Sequence, residues 1–171
     1  MNCNKYEAEL VIRFFSKMSK ITPYVFISNA EQAVDLQFIR KSKIECVLCC
    51  ALELHHSFPK EIMFKKLPIR DSKRFNILNY LEEGVEFIAE AVSSSRNILV
   101  YCNMGVSRSP TIVIAYLVKE LQIPTDEAES LVLKSRPEIF PNSGFYSQLK
   151  IYESKNLKLK KPKNQCNCNL F

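Results

Sequence analysis

Apolar residues along this chain fall into two rhythms. Short unbroken runs over Glu45-Cys46-Val47-Leu48-Cys49-Cys50-Ala51, Ile62-Met63-Phe64-Lys65-Lys66-Leu67 and Asn97-Ile98-Leu99-Val100-Tyr101 have the length of buried strands, and Pro68 closes the second. Between and after them the spacing turns helical. Asn29 to Lys41 is amphipathic, and Asn76 to Ser93 lines up Ile77, Tyr80, Leu81, Val85, Phe87, Ile88 and Val92 on one side. Pro110 to Leu117 opens a helix with proline in its first turn, Thr125 is placed to cap a helix through Ser135, and Ser143 to cap one through Glu153. Residues 5–18 carry Leu10, Val11, Phe14, Phe15 and Met18 on one helical side, a face that reads as packing on the domain or as the filler of a partner's groove. Strands alternating with helices predict an α/β fold: a mainly parallel central sheet flanked by helices on both faces in a single compact domain.

The chemistry concentrates where a strand meets a helix. Cys102-Asn103-Met104-Gly105-Val106-Ser107-Arg108-Ser109 lies between the run ending at Tyr101 and the helix opened by Pro110. A loop that ends at a helix N-terminus faces unpaired N–H groups and the positive end of the dipole, which together favour an anion. Gly105 tolerates the backbone angles of a ring of inward amides, and Arg108 offers a planar fork for two oxygens of a phosphate. The same field favours an ionised Cys102, and the Ser109 hydroxyl is placed to stabilise that sulfur as a leaving group. The plain reading, a buried cysteine filler beside a surface arginine, fits each residue singly but not the ordered set. Upstream, Asp71 follows Pro68-Ile69-Arg70 on a loop that could fold over a neighbouring strand end; it reads equally as a proton donor for a departing oxygen and as an ordinary turn aspartate.

Cys102-x-x-Gly105-x-x-Arg108-Ser109 resembles the active-site signature of the protein tyrosine phosphatase superfamily, and the rest of the chain looks like its dual-specificity branch. Ala115-Tyr116-Leu117, Lys134-Ser135-Arg136-Pro137, Pro141-Asn142-Ser143-Gly144-Phe145 with Gln148-Leu149, Ile21 to Ser28, and Pro68-Ile69-Arg70-Asp71 carry the likeness across residues 21–153. The resemblance implies that Cys102 attacks phosphorus to form a phosphocysteine while Arg108 holds the equatorial oxygens. It further implies that Asp71 protonates the leaving group and then activates water, that Ser109 helps expel the thiolate, and that Asn142 braces the phosphate loop. No metal or cofactor is implied, because the protein supplies both the nucleophile and the positive charge. Two positions depart from the family. Tyr101 stands where a histidine is usual before the cysteine, which predicts weaker or pH-shifted catalysis. Met104 puts a polarizable apolar side chain at the pocket rim. Asn103, Met104, Val106 and Ser107 are uncharged, which fits a phosphorylated protein better than a phosphoinositide. A catalytically impaired phosphoprotein-binding module is the other alternative, and Tyr101 is its only support.

Composition adds the surroundings. At 171 residues, 47% hydrophobic and 25% charged, the chain is ordinary for one globular domain. Seven cysteines without a secretory leader predict a reducing, cytoplasmic location. Cys46 and Cys49 mimic a metal spacing but read as core. No 18-residue apolar run is present for a membrane span. Of the formal net charge of +6, five units come from Lys155, Lys158, Lys160, Lys161 and Lys163, with no acid after Glu153. The last residues, Cys168-Asn169-Leu170-Phe171, resemble a prenylation box with Cys168 as lipid acceptor, although Asn169 is not aliphatic. Lipid plus lysines would hold the chain on an anionic, cytoplasm-facing membrane surface, whereas lysine-rich tails are also often simply solvated or nuclear-addressing. Basic residues without interleaved aromatics argue against nucleic acid. The sequence thus divides into an N-terminal helical extension (1–20), a catalytic domain (21–153) and a flexible basic tail (154–171), and it sets no oligomeric state.

Overall fold

Among the described residues five strands form one sheet in the order β1-β2-β5-β3-β4. They are β1 (Ser19–Lys20), β2 (Val25–Ser28), β3 (Ile44–Cys49), β4 (Met63–Lys66) and β5 (Asn97–Tyr101). Only β1 runs antiparallel to its neighbour; β2, β5, β3 and β4 are mutually parallel, as the strand and helix alternation requires. The structure, a computed structural model, describes residues 18–157. The predicted N-terminal helix, apart from Met18, and the tail beyond Leu157 lie outside the described residues.

The two central strands are covered on both faces. Cys46 to Cys49 and Ile98 to Tyr101 are each 0% exposed, so successive side chains pointing to opposite sides all find cover. That puts Cys46 and Cys49 in the core as free thiols. Strand β4 is one edge, with Met63 and Phe64 partly in water.

Among the described residues the helices are α1 (Ala30–Ala33), α2 (Leu36–Lys41), α3 (Leu78–Ser93), α4 (Arg108–Leu121), α5 (Thr125–Ser135) and α6 (Ser143–Asn156). The single amphipathic helix predicted over 29–41 is in fact two. Asp35 takes the N–H groups of Gln37 and Phe38 on Oδ1 at 2.9 and 3.1 Å, and this side-chain cap restarts the helix. Three other helix starts move as well. Helix α3 begins at Leu78 because Gln148 Oε1, from α6, accepts from both Ile77 N and Leu78 N at 2.8 and 3.2 Å. Pro124 occupies the cap position predicted for Thr125, whose N–H goes instead to Glu153 Oε2 at 2.9 Å. Asn142, not Ser143, caps α6 through Oδ1 and Phe145 N at 3.0 Å, and α6 runs on to Asn156. Helix α4 is buried from Arg108 to Val118, which explains its lack of a polar face: α3, α5 and α6 surround it and its first turn faces the end of β5.

Candidate active site

The end of β5 delivers Cys102 to a loop that closes on the first turn of α4, and the loop's shape follows from where its carbonyls go. Asn103 O accepts from Ala30 N at 3.0 Å and Val106 O from Phe140 N at 2.7 Å. Gly105 O accepts from Arg136 Nε at 2.8 Å and Met104 O from Arg136 Nη2 at 3.4 Å. Ser107 O accepts from the N–H and hydroxyl of Thr111 at 3.1 and 2.7 Å. A trans peptide points its N–H opposite to its C=O, so five carbonyls held outward leave the amides of residues 104–108 facing in. Gly105 makes the tightest bend, at φ 69°, and a Cβ there would lie 2.6 Å from Ser28 O and 2.7 Å from Arg136 Nη2.

At the floor of that ring sits Cys102 Sγ, 1% exposed. Gly105 N donates to the sulfur at 3.2 Å and Ser109 Oγ at 3.3 Å. Ser107 occupies the cap position of α4 without capping it, so the helix's first amides stay available to a ligand.

Arg108 and Asp71 stand over the opening. Arg108 is 5% exposed; its Nη1 donates to Glu53 Oε1 at 2.6 Å and to Ile69 O at 3.4 Å, and its Nε lies 3.6 Å from Asp71 Oδ2. Burial works against its charge, but the bond to Glu53 and the fields of Cys102, Glu53 and Asp71 outweigh it, so the guanidinium is raised above even its usual value. Among the described residues the buried Nε finds no hydrogen-bond acceptor. Asp71 Oδ1 accepts from Ser107 Oγ at 2.8 Å and Asn142 Nδ2 at 2.9 Å, which brings the loop after Pro68 to the loop that follows Cys102. Asn142 thus touches the Asp71 carboxyl group with its side chain and reaches Ser107 Oγ with its own N–H at 3.2 Å. Gly144 permits this closure, because a Cβ there would lie 2.0 Å from Lys73 O.

Tyr101 points away from the loop. Its hydroxyl pairs with His56 Nδ1 at 3.1 Å, its ring stacks on His56 at 5.8 Å, and Phe58 meets it edge-on. Burial, followed by the contact with Cys49, pushes the phenol far above its ordinary range, so it stays neutral. Asn103 and Met104 lie exposed on the rim, while Val106 is half-buried.

Two residues at the site escape sequence reasoning. Arg136 is 0% exposed, is paired with Glu138 at 3.1 Å, and holds the loop from beneath. Burial pulls its guanidinium below the usual value while Glu138 and Cys102 push it back up. The motif Lys134 to Pro137 marks the place but not the target. Glu53, which orients Arg108, has no local signal at all.

A family model described as "Dual specificity phosphatase, catalytic domain" matches residues 25–155, a span containing the whole of this site. The chain belongs to the dual specificity phosphatase family. It is 38% identical over 133 residues to mouse "Dual specificity protein phosphatase 19", covering 78% of this chain and 60% of that one. It is 35% identical to Arabidopsis thaliana "Dual specificity protein phosphatase 1B", covering 80% of this chain and 81% of the relative. Among solved structures, human "tyrosine phosphatase-like serine/threonine/tyrosine-interacting protein" superposes with a TM-score of 0.78 at 29% identity, over 84% of this chain and 99% of the other. For a dual specificity phosphatase domain the central mixed sheet with flanking helices is the expected frame, and the loop from Cys102 to Ser107 lies at the carboxyl end of β5, where such sheets bind ligands.

Proposed function

We propose that this chain is a cysteine-dependent phosphatase that hydrolyses phosphotyrosine, phosphoserine or phosphothreonine in proteins. Cys102 Sγ attacks phosphorus while the loop amides and Arg108 hold the three equatorial oxygens; the bond to the leaving oxygen breaks as Asp71 hands it a proton. Asp71, now a carboxylate, takes a proton from water as that water attacks the phosphocysteine, and sulfur leaves as thiolate, stabilised by Ser109 Oγ and Gly105 N. A single observation carries the reading: two donors converge on Cys102 Sγ inside a loop whose five carbonyls are all turned outward. The unfilled Nε of Arg108 adds a donor for a phosphate oxygen.

Uncharged Asn103 and Met104 at the rim favour a phosphoprotein over a highly anionic inositol phosphate. The binding-only alternative rests on Tyr101, and the Tyr101 hydroxyl is engaged with His56 rather than the loop. The basic residues from Lys155 to Lys163 bring the enzyme to anionic lipid at the cytoplasmic face of a membrane, with Cys168 as the lipid acceptor; among the described residues no helix is long and apolar enough to cross a membrane. The test is turnover by the purified chain and by Cys102→Ser of a small aryl phosphate, phosphotyrosyl and phosphothreonyl peptides, and a phosphoinositide. Peptide turnover lost in Cys102→Ser is the expected result. Peptide binding without turnover by the unaltered chain would support the binding module, and preference for the phosphoinositide would overturn the protein-substrate reading.

A further inference from the structure

Beside the phosphate loop lies a groove of about 700 Å³ that the chemistry above does not use. One side belongs to the catalytic apparatus: Val106 and Ser107 from the phosphate loop, with Asp71 and Asn142 hydrogen-bonded to Ser107. The other is apolar, formed by Phe140, Pro141 and Tyr146. Phe140 is 78% exposed, a large aromatic left in water at the groove's lip. It is not a loose side chain on a wandering loop, since its backbone N–H is tied to Val106 O at 2.7 Å and its position is therefore fixed relative to the phosphate site.

We propose that this groove is a specificity subsite that takes an apolar side chain close to the phosphorylated residue of a peptide substrate; the proposal rests on the phosphatase reading above. Three observations identify the occupant. The groove is continuous with the phosphate loop, so a chain whose phosphate lies over Cys102 must pass it, and an extended peptide advances about 3.3 Å per residue, which brings a near neighbour to the groove. Of the three charged side chains in the lining, Asp71 is taken up by Arg108, Ser107 and Asn142, and the other two, Lys73 and Glu129, are of opposite sign and offer little net attraction to a charged side chain. Burial, with the field of Asp126 behind it, holds the Glu129 carboxyl above its ordinary value, as expected beside an apolar surface. An exposed aromatic wall beside a polar reactive centre is the usual form of a site that orients a ligand by burying its apolar part.

The test is a peptide series containing whichever of phosphotyrosine or phosphothreonine the enzyme turns over, with leucine, alanine or aspartate at each of the two positions on either side. Phosphate release is measured for the unaltered chain, for Phe140→Ala, which removes the lip, and for Ser147→Trp, which fills the groove from α6. A small aryl phosphate accompanies every measurement. The expected result is one position at which leucine exceeds alanine and aspartate by about tenfold in kcat/KM, carried mainly by KM. That ratio, referenced within each variant, falls towards one in both. Equal turnover of all peptides, a preference for aspartate, or a leucine preference that survives both substitutions would overturn the subsite while leaving the phosphatase reading intact. Failure of the unaltered chain to turn over even the aryl phosphate would overturn the phosphatase reading, and the subsite with it.

Discussion

Asp71 carries two hydrogen bonds and one ion pair, all to groups of the site, and each has a chemical consequence. Ser107 Oγ and Asn142 Nδ2 both donate to Oδ1, which leaves Oδ2, 3.6 Å from Arg108 Nε, as the oxygen facing the opening. A general acid matters most for a leaving group that cannot depart unprotonated. Asp71→Ala should therefore lower kcat on a phosphothreonyl peptide by about 100-fold or more and on an activated aryl phosphate by much less. Equal losses on the two would remove Asp71 from that role. Glu53 acts on the neighbouring guanidinium. Burial opposes its ionisation, but its own backbone N–H and Arg108 win, and the carboxyl is held below its ordinary value. A depressed carboxyl stabilises the fold above its unfolded value, about 4.3, and that contribution is lost as the pH falls through the folded value. Glu53→Gln should thus cost no more than about 1 kcal/mol near neutrality, because its side chain is half in water. The gap to the unaltered protein should close on acidification below pH ~4; denaturant melts across pH would show a constant gap if the pair were irrelevant.

Among the elements, the unit β5, loop and α4 was legible in the sequence because it is contiguous: the strand ran from Asn97 to Tyr101 as predicted, and Pro110 lay in the first turn of the helix. What could not be read depends on partners far along the chain. Arg136 is 31 residues from the carbonyl it holds, and Gln148 is 71 from the amide it caps. No periodicity encodes such a meeting. The split of 29–41 was open to sequence reasoning, since Asp35 is a capping residue type inside a helical pattern, but period outweighed it there. The buried arginine beneath the loop supports an element-scale prediction. Arg136→Met strands Glu138, which is almost fully buried, along with the carbonyls of Met104 and Gly105. Breaking a buried pair in this way should cost about 3–5 kcal/mol. Arg136→Lys should restore part of the stability but less of kcat/KM, because an ammonium cannot reproduce the guanidinium's fixed fork of donors. Full recovery of activity by lysine would show that charge alone suffices.

At the scale of the molecule the charge is lopsided: of a net +6, the lysines from 155 to 163 account for five. Each lysine near an anionic leaflet contributes ~1 kcal/mol at low salt. Chain purified from bacteria should therefore sediment with phosphatidylserine vesicles and not with neutral ones, less so as salt rises. Replacing Lys158, Lys160, Lys161 and Lys163 by glutamine should abolish this, and binding that survives the replacement would assign the attraction elsewhere. The site itself lies at the carboxyl end of the sheet, where the loop from Cys102 to Ser107, the loop after Pro68 and the start of α6 meet, and Gly144 lets the last two touch. The family tie and the fold were readable from the signature at Cys102 to Ser109; the meeting of Asp71 with Asn142 and Ser107 was not, because it depends on how three separate loops close together.

All of this converges on one sulfur. The most direct measurement is acid quenching of the enzyme during turnover of a phosphopeptide, followed by mass spectrometry to locate the phosphoryl group. A single adduct on Cys102, absent from Cys102→Ser, which should also release no phosphate, is the predicted result. A phosphoryl group on any other residue, or phosphate release that continues in Cys102→Ser, would contradict it.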